Sequence, residues 1–275
     1  MRRLLSFSCV GETLWATLDE ADSPAGVLIV SGGNEIRSGA HGGMARLGAD
    51  LAAAGFPTFR YDRRGVGDSD GSNTGFEESA EDIAAALAAF KVACPTLTRI
   101  IAFGNCDAAT ALILHHPVGI DAMLLSNIWI VESGEDAMPP PAAIKAHYLA
   151  RLKDPKAWKA LFSGAVNLSK LIHGLRKVAT GSTPTGLAAR VAHAFDAGLP
   201  SAHILLCARD GTAIAFADAW KHDMFATARA KTPVTQINSA SHSFASDDDH
   251  QTLLAALLTL LQPEGRAVRS PLSPT

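Results

Sequence analysis

Aromatic residues make up only 6% of this 275-residue chain, and neither sign of charge dominates: 24 Lys and Arg face 27 Asp and Glu. A formal net charge of −3 provides no basic field for a phosphate backbone, and so few aromatics make no stacking platform for single strands. Nucleic-acid binding is not expected. Long apolar runs are missing too. Ala25 to Val30 and Leu253 to Leu261 are strand-length or interrupted by a polar residue, well short of the ~18–20 residues that cross a bilayer. Met1-Arg2-Arg3-Leu4-Leu5-Ser6 has the charge of a signal peptide without its apolar core, because Gly11, Glu12, Asp19 and Glu20 follow too soon. It reads as the first strand of a cytoplasmic protein. The four cysteines, Cys9, Cys94, Cys106 and Cys207, include no Cys-x-x-Cys pair. Neither a zinc site nor a dithiol is expected, and no metal or organic cofactor is implied. In a reducing cytosol a lone cysteine is usually a small buried hydrophobe, so a reactive one needs special surroundings.

What the chain does have is a legible alternation of strands and helices. Leu4 to Val10 and Thr13 to Leu18 read as a hairpin turning at Gly11-Glu12. Gly26 to Val30 is a buried strand running into Ser31-Gly32-Gly33, and Met44, Leu47 and Leu51 then repeat at helical spacing from Gly43 to Ala54. The unit recurs: strand Thr58 to Tyr61 with helix Glu78 to Ala93, then strand Arg99 to Phe103 with helix Asp107 to His115. Further strands are Ala122 to Leu125, His203 to Cys207 and Val234 to Ile237, with helices Ala213 to Phe225 and Asp248 to Leu261. This rhythm predicts an α/β fold with a mostly parallel sheet covered by helices on both faces.

Between residues 127 and 199 the rhythm stops. Pro139-Pro140-Pro141 precedes helical patterns at Ala142 to Leu152, Pro155 to Phe162, Leu168 to Val178 and Thr185 to Ala197. A helical block inserted here reads as a cap over the strand ends or as extra packing helices. The expected organisation is a core of residues 1–126 and 200–265, a helical cap at 127–199, and a disordered tail at 266–275 rich in Ser-Pro.

The strongest chemical signal is Phe103-Gly104-Asn105-Cys106-Asp107-Ala108-Ala109, an apolar strand turning sharply into a helix. A nucleophile on such an elbow takes strained backbone angles, so the residues two before and two after must be small. Gly104 and Ala108 satisfy that. A helix N-terminus also favours the thiolate of a cysteine placed there. His242, between the last strand and the last helix, can serve as the base. Asp210, after the strand ending at Cys207, reads either as the carboxylate that orients that histidine or as a helix N-cap. An oxyanion site needs N–H donors: Asp107 is expected to give one, and Gly33 or Asn34 the other. Arg37 reads as a contact for an anionic substrate group or as a partner of Glu35, and His41 borders the same glycine loop.

The whole chain resembles the α/β-hydrolase superfamily. Asp62-Arg63-Arg64-Gly65-Val66-Gly67-Asp68-Ser69 is similar to its common D-x-R-G-x-G-x-S loop, which is structural there. More narrowly, the segment Ser31 to His41, the Gly-Asn-Cys-Asp elbow and Ala208-Arg209-Asp210-Gly211-Thr212-Ala213 resemble the bacterial hydrolase 1 group associated with the exosortase A system. That resemblance implies a setting among exopolysaccharide and protein-sorting genes. Serine is usual at the elbow of the superfamily, and cysteine also occurs in dienelactone hydrolases. The expected activity is hydrolysis of an ester, thioester or lactone of a small-molecule acyl substrate through Cys106, His242 and Asp210. An acyltransferase on the same fold and a non-catalytic scaffold are the alternatives, and the oligomeric state is not legible.

Overall fold

The computed structural model describes residues 1–131 and 186–262. Eight strands form one sheet: β1 Arg2–Cys9, β2 Glu12–Asp19, β3 Ala25–Val30, β4 Thr58–Tyr61, β5 Arg99–Asn105, β6 Ala122–Ser126, β7 Ser201–Cys207 and β8 Val234–Ile237. Their spatial order is β1-β2-β4-β3-β5-β6-β7-β8. β2 is antiparallel to both β1 and β4, and every later pairing is parallel. Among the described residues the α-helices are α1 Gly43–Ala53, α2 Ala80–Ala93, α3 Asp107–His115, α4 Gly186–Gly198, α5 Gly211–Ala219, α6 Ala226–Lys231 and α7 Asp247–Leu261.

The central strands are apolar on both faces because both faces are covered. Within β5, Ile100 and Ala102 join one core with Leu28, Phe90, Leu112, Met123 and Val191. Ile101 and Phe103 point the other way, into a second core with Val27, Ile29, Leu47, Leu124 and Leu257. Side chains alternating at period two thus feed α2, α3 and α4 on one side and α1 and α7 on the other. Each fully buried Leu, Ile or Phe contributes roughly 1.5–3 kcal/mol. This is the α/β-hydrolase fold.

A buried ion pair locks the antiparallel edge onto the parallel block. Arg60 on β4 meets Asp19 at the end of β2, 3.0 Å apart, with both side chains almost fully buried. Arg60 also donates to the Arg37 carbonyl at 2.7 Å, so the loop after β3 is tied to the same point.

Two helix boundaries differ from the sequence expectation. The helix expected from Ala213 to Phe225 ends at Ala219, is followed by a short 3₁₀ turn at Asp223–Phe225, and resumes as α6. Trp220 packs on Phe216 and Phe225 with ring centroids 5.2 and 5.0 Å away, and Arg229 donates to the Trp220 and His222 carbonyls that the break frees. The helix expected from Glu78 begins at Ala80, after a 3₁₀ turn in which the Ser79 hydroxyl donates to the Phe76 carbonyl at 2.7 Å. The last helix of the 127–199 block, α4, packs into the main core through Leu187, Ala188, Val191 and Ala192. The triple proline, the three earlier helical patterns and the Ser-Pro tail lie outside the described residues. Among the described residues, no helix is long and apolar enough to cross a membrane.

Candidate active site

Parallel strands end on the same edge of a sheet, so the loops after β3, β5, β7 and β8 gather there. Cys106 follows β5, Asp210 follows β7, His242 follows β8, and the Ser31-Gly32-Gly33-Asn34 turn follows β3.

Cys106 is the N-cap of α3 with φ 60° and ψ −127°, a conformation that costs a non-glycine residue roughly 1–3 kcal/mol. The fold holds it there. The Cys106 N–H donates to the Ser126 carbonyl at 2.9 Å, and its own carbonyl accepts from Ala109 at 3.1 Å. The elbow is tight enough that a Cβ on residue 104 would lie 2.7 Å from the Ala108 carbonyl carbon, so only glycine fits. This close approach of β5 and α3 explains the small residues flanking the elbow.

His242 Nδ1 lies 3.1 Å from Asp210 Oδ2, and His242 and Cys106 line the same pocket, close enough for the sulfur to act on the ring. The hydrogen bond to Asp210, reinforced by the Cys106 sulfur, outweighs burial and pushes the imidazole up to about 10. Asp210 is buried. Burial works against its charge, but the hydrogen bonds from His242 and the Ala213 N–H hold its carboxyl below the usual range. Asp210 Oδ2 accepts from Ala213 at 3.0 Å, so the carboxylate caps α5 and meets His242 at once. One carboxylate thus makes both contacts that the sequence left as alternatives.

Two asparagines join these parts. The Asn105 side-chain amide donates to the His242 carbonyl at 3.0 Å. Asn127, fully buried at φ 43°, donates to Asn105 Oδ1 at 3.0 Å, while its own oxygen accepts from the Cys207 N–H at 2.9 Å. Asn127 thereby bridges the ends of β5, β6 and β7 to the loop carrying His242. Sequence reasoning passed over both residues. The available signal was an amide beside the elbow and another at the mouth of a buried strand, where an uncompensated polar group is costly.

Asp107 and Gly33, both expected as oxyanion donors, meet through the Asp107 side chain. The Gly33 N–H is not open: it donates to both carboxylate oxygens of Asp107, at 2.7 and 2.8 Å. Arg63 binds the Gly33 carbonyl on the other side of the residue. Asn34 accepts from Asn73 through its side chain at 2.6 Å.

Gly32, Gly33, Glu35, Phe76, Asn105, Cys106, Asp107, Trp129 and His242 line a pocket of about 320 Å³. Burial by the surrounding groups pushes the Glu35 carboxyl up, against the opposing pull of His242. The substrate contact expected of Arg37 is corrected. Its backbone and guanidinium bind Asp62, with Asp68 at 2.8 Å and the Thr17 hydroxyl at 3.1 Å, so its charge is spent on the Asp62-to-Ser69 loop. His41, exposed at φ 54° in the turn before α1, lies outside that lining.

Solved structures share this architecture. An esterase of Pyrococcus furiosus superposes with a TM-score of 0.64 at 13% identity, covering 95% of this chain and 92% of that one. DcsB, solved with a substrate analogue, gives 0.63 at 12% identity over 95% and 99%. A proline iminopeptidase of Mycobacterium smegmatis gives 0.61 at 11% identity over 94% and 97%. At these identities the likeness is one of fold. No curated protein matches the chain. The family described as serine aminopeptidase, S33, matches residues 21–178, more than half of the sequence. With that match and this sheet, the chain belongs to the serine aminopeptidase S33 family of α/β-hydrolases.

Proposed function

We propose that the protein hydrolyses an activated acyl compound, an ester, thioester or lactone, through an acyl-thioenzyme on Cys106. The observation that carries this reading is His242, 3.1 Å from Asp210 and sharing one pocket with Cys106 at the mouth of the parallel sheet. His242, its imidazole raised to about 10, holds the proton while the sulfur attacks the acyl carbon. The tetrahedral oxyanion takes a hydrogen bond from the Asp107 N–H and from the turn at Gly33 and Asn34. As the intermediate collapses, the carbon–oxygen or carbon–sulfur bond breaks and the leaving group takes the proton from His242. A water that gives a proton to His242 then attacks the thioester, and the acid leaves with Cys106 restored. Asp210 keeps the imidazole oriented throughout.

The family name refers to serine and to peptides, but a thiolate is itself a good leaving group. A tetrahedral intermediate formed from an amide returns to starting material more readily than it expels an amine, so activated acyl groups suit Cys106 better. The setting implied by the sequence resemblance, among exopolysaccharide and protein-sorting genes, is where such a substrate would be sought.

One observation favours a different reading. The Asp107 carboxylate occupies the Gly33 N–H, which suits a non-catalytic scaffold. A burst assay separates the two, with p-nitrophenyl acetate and a short acyl thioester as probes. A stoichiometric burst in wild type that disappears in Cys106→Ala supports the acyl-thioenzyme. Equal behaviour of the two proteins on both probes moves the scaffold reading ahead.

A further inference from the structure

Asp107 contributes two groups to one small space. Its backbone N–H is an oxyanion donor in the acyl-transfer reading, and its side chain folds back onto the Gly33 N–H. Both carboxylate oxygens lie within 2.8 Å of the Gly33 nitrogen. The seat is built for them: a Cβ on residue 32 would lie 2.3 Å from Asp107 Oδ1, so the absence of a side chain at Gly32 makes the room. Arg63, itself buried, grips the Gly33 carbonyl and fixes that residue from the far side. The carboxylate therefore sits where an acyl oxyanion would find its second donor. Fixed carboxylate and developing oxyanion cannot share one N–H, and at such short range they repel.

We propose that the Asp107 side chain is a latch on the oxyanion site, which must swing off the Gly33 N–H before an acyl group is attacked at Cys106, and so sets the rate of acylation. The proposal rests on the acyl-transfer reading given above. It makes Asp107 selective as well: an acyl group has to fill the place of the carboxylate to be processed, and a reagent that forms no oxyanion does not. Alkylation of a thiol is of the second kind.

The test uses that difference. Acylation by p-nitrophenyl acetate is measured as the burst rate, and alkylation by iodoacetamide as the second-order labelling rate of Cys106, in wild type, Asp107→Ala and Asp107→Asn. Losing one oxyanion donor costs about 10²–10³ in rate where it has been measured, so freeing one is expected to speed acylation at least about tenfold in Asp107→Ala. Asp107→Asn, which keeps the shape but loses the charge, is expected to fall between. Alkylation in both variants stays within about twofold of wild type, which also shows that the elbow is intact. Acylation unchanged or slowed in both variants, at normal alkylation rates, overturns the latch. The acyl-transfer reading is judged separately, by whether Cys106→Ala abolishes the burst in each Asp107 background. A Cys106-dependent burst with no gain on removing the carboxylate keeps that reading and discards the latch.

Discussion

The side-chain amide of Asn105 donates to the main-chain carbonyl of His242 across 3.0 Å, joining the residue beside the sulfur to the residue that bears the imidazole. Asn127 supports that bond from behind by donating to Asn105 Oδ1 at 3.0 Å. The position of the imidazole is thus set by main-chain anchoring as well as by Asp210.

Replacing Asn127 with Ala should leave the buried Cys207 N–H and the half-buried Asn105 Oδ1 without their partner. Each orphaned group costs about 1–3 kcal/mol, so chemical denaturation should show a loss of roughly 2–6 kcal/mol. Asn105→Ala, at a half-buried position, should cost less stability. It should instead slow the burst, with little change in KM for the acyl probe.

The charge of His242 should depend on the state of Cys106. Its hydrogen bond to Asp210 raises it most, but the polar interaction with Cys106 and the sulfur's charge raise it as well. Capping the thiol with neutral iodoacetamide removes both contributions of the sulfur. An NMR titration should then find the imidazole below the value of about 10 in the free protein. An unchanged titration would mean that sulfur and ring do not communicate. The same fall in the acyl-enzyme would give a neutral base for the water step at lower pH.

Asp210→Asn should flatten the alkaline side of the stability profile. A histidine raised from 6.5 to about 10 on folding contributes stability that is fully present below pH 6.5 and lost as pH rises through 10. The wild-type thermal midpoint should therefore decline across that window, and the variant should decline less. At the acid end, Asp210 is held below its ordinary 3.8, so its contribution is present above that pH and fades as pH falls beneath it.

Asp19→Ala should be among the most damaging changes on the antiparallel edge. It strands Arg60, almost fully buried, and also releases Arg2, whose Nε donates to Asp19 at 2.6 Å. Breaking one side of a buried pair typically costs about 3–5 kcal/mol, to be read from the denaturation midpoint. Arg37→Ala should loosen the Asp62-to-Ser69 loop and lower the thermal midpoint, and it should leave KM for anionic and neutral acyl probes in the same ratio.

The strands were legible because most are short apolar runs closed by glycine or polar turns, and β4 and β8 match the expected limits at Thr58–Tyr61 and Val234–Ile237. The elbow was legible because its sterics demand Gly104 and Ala108 around any residue held at that backbone angle. Side-chain partnerships were not. Arg37 stands three residues from Asn34 in the chain, yet Asp62 and Asp68, brought over by the β4 loop, capture it. The folding-back of Asp107 onto Gly33 likewise depends on how closely α3 approaches the turn after β3, which no local pattern encodes. Asp223 to Phe225 was read as continuous helix because apolar periodicity cannot show that three clustered rings pack better across a break.

The bond between Asn105 and His242 closes a loop of 137 residues. Contacts that distant in sequence form late, since the entropy of bringing the ends together is lost before the contact rewards it. The pocket can be complete only once the loop between β8 and α7, which carries His242, has docked against Asn105 and Asn127 at the ends of β5 and β6. A refolding chain should therefore regain its helical signal and bury most of its apolar surface before its sulfur becomes reactive toward acyl groups. The proposed chemistry is in that sense a timer, marking the last event of the chain's own assembly.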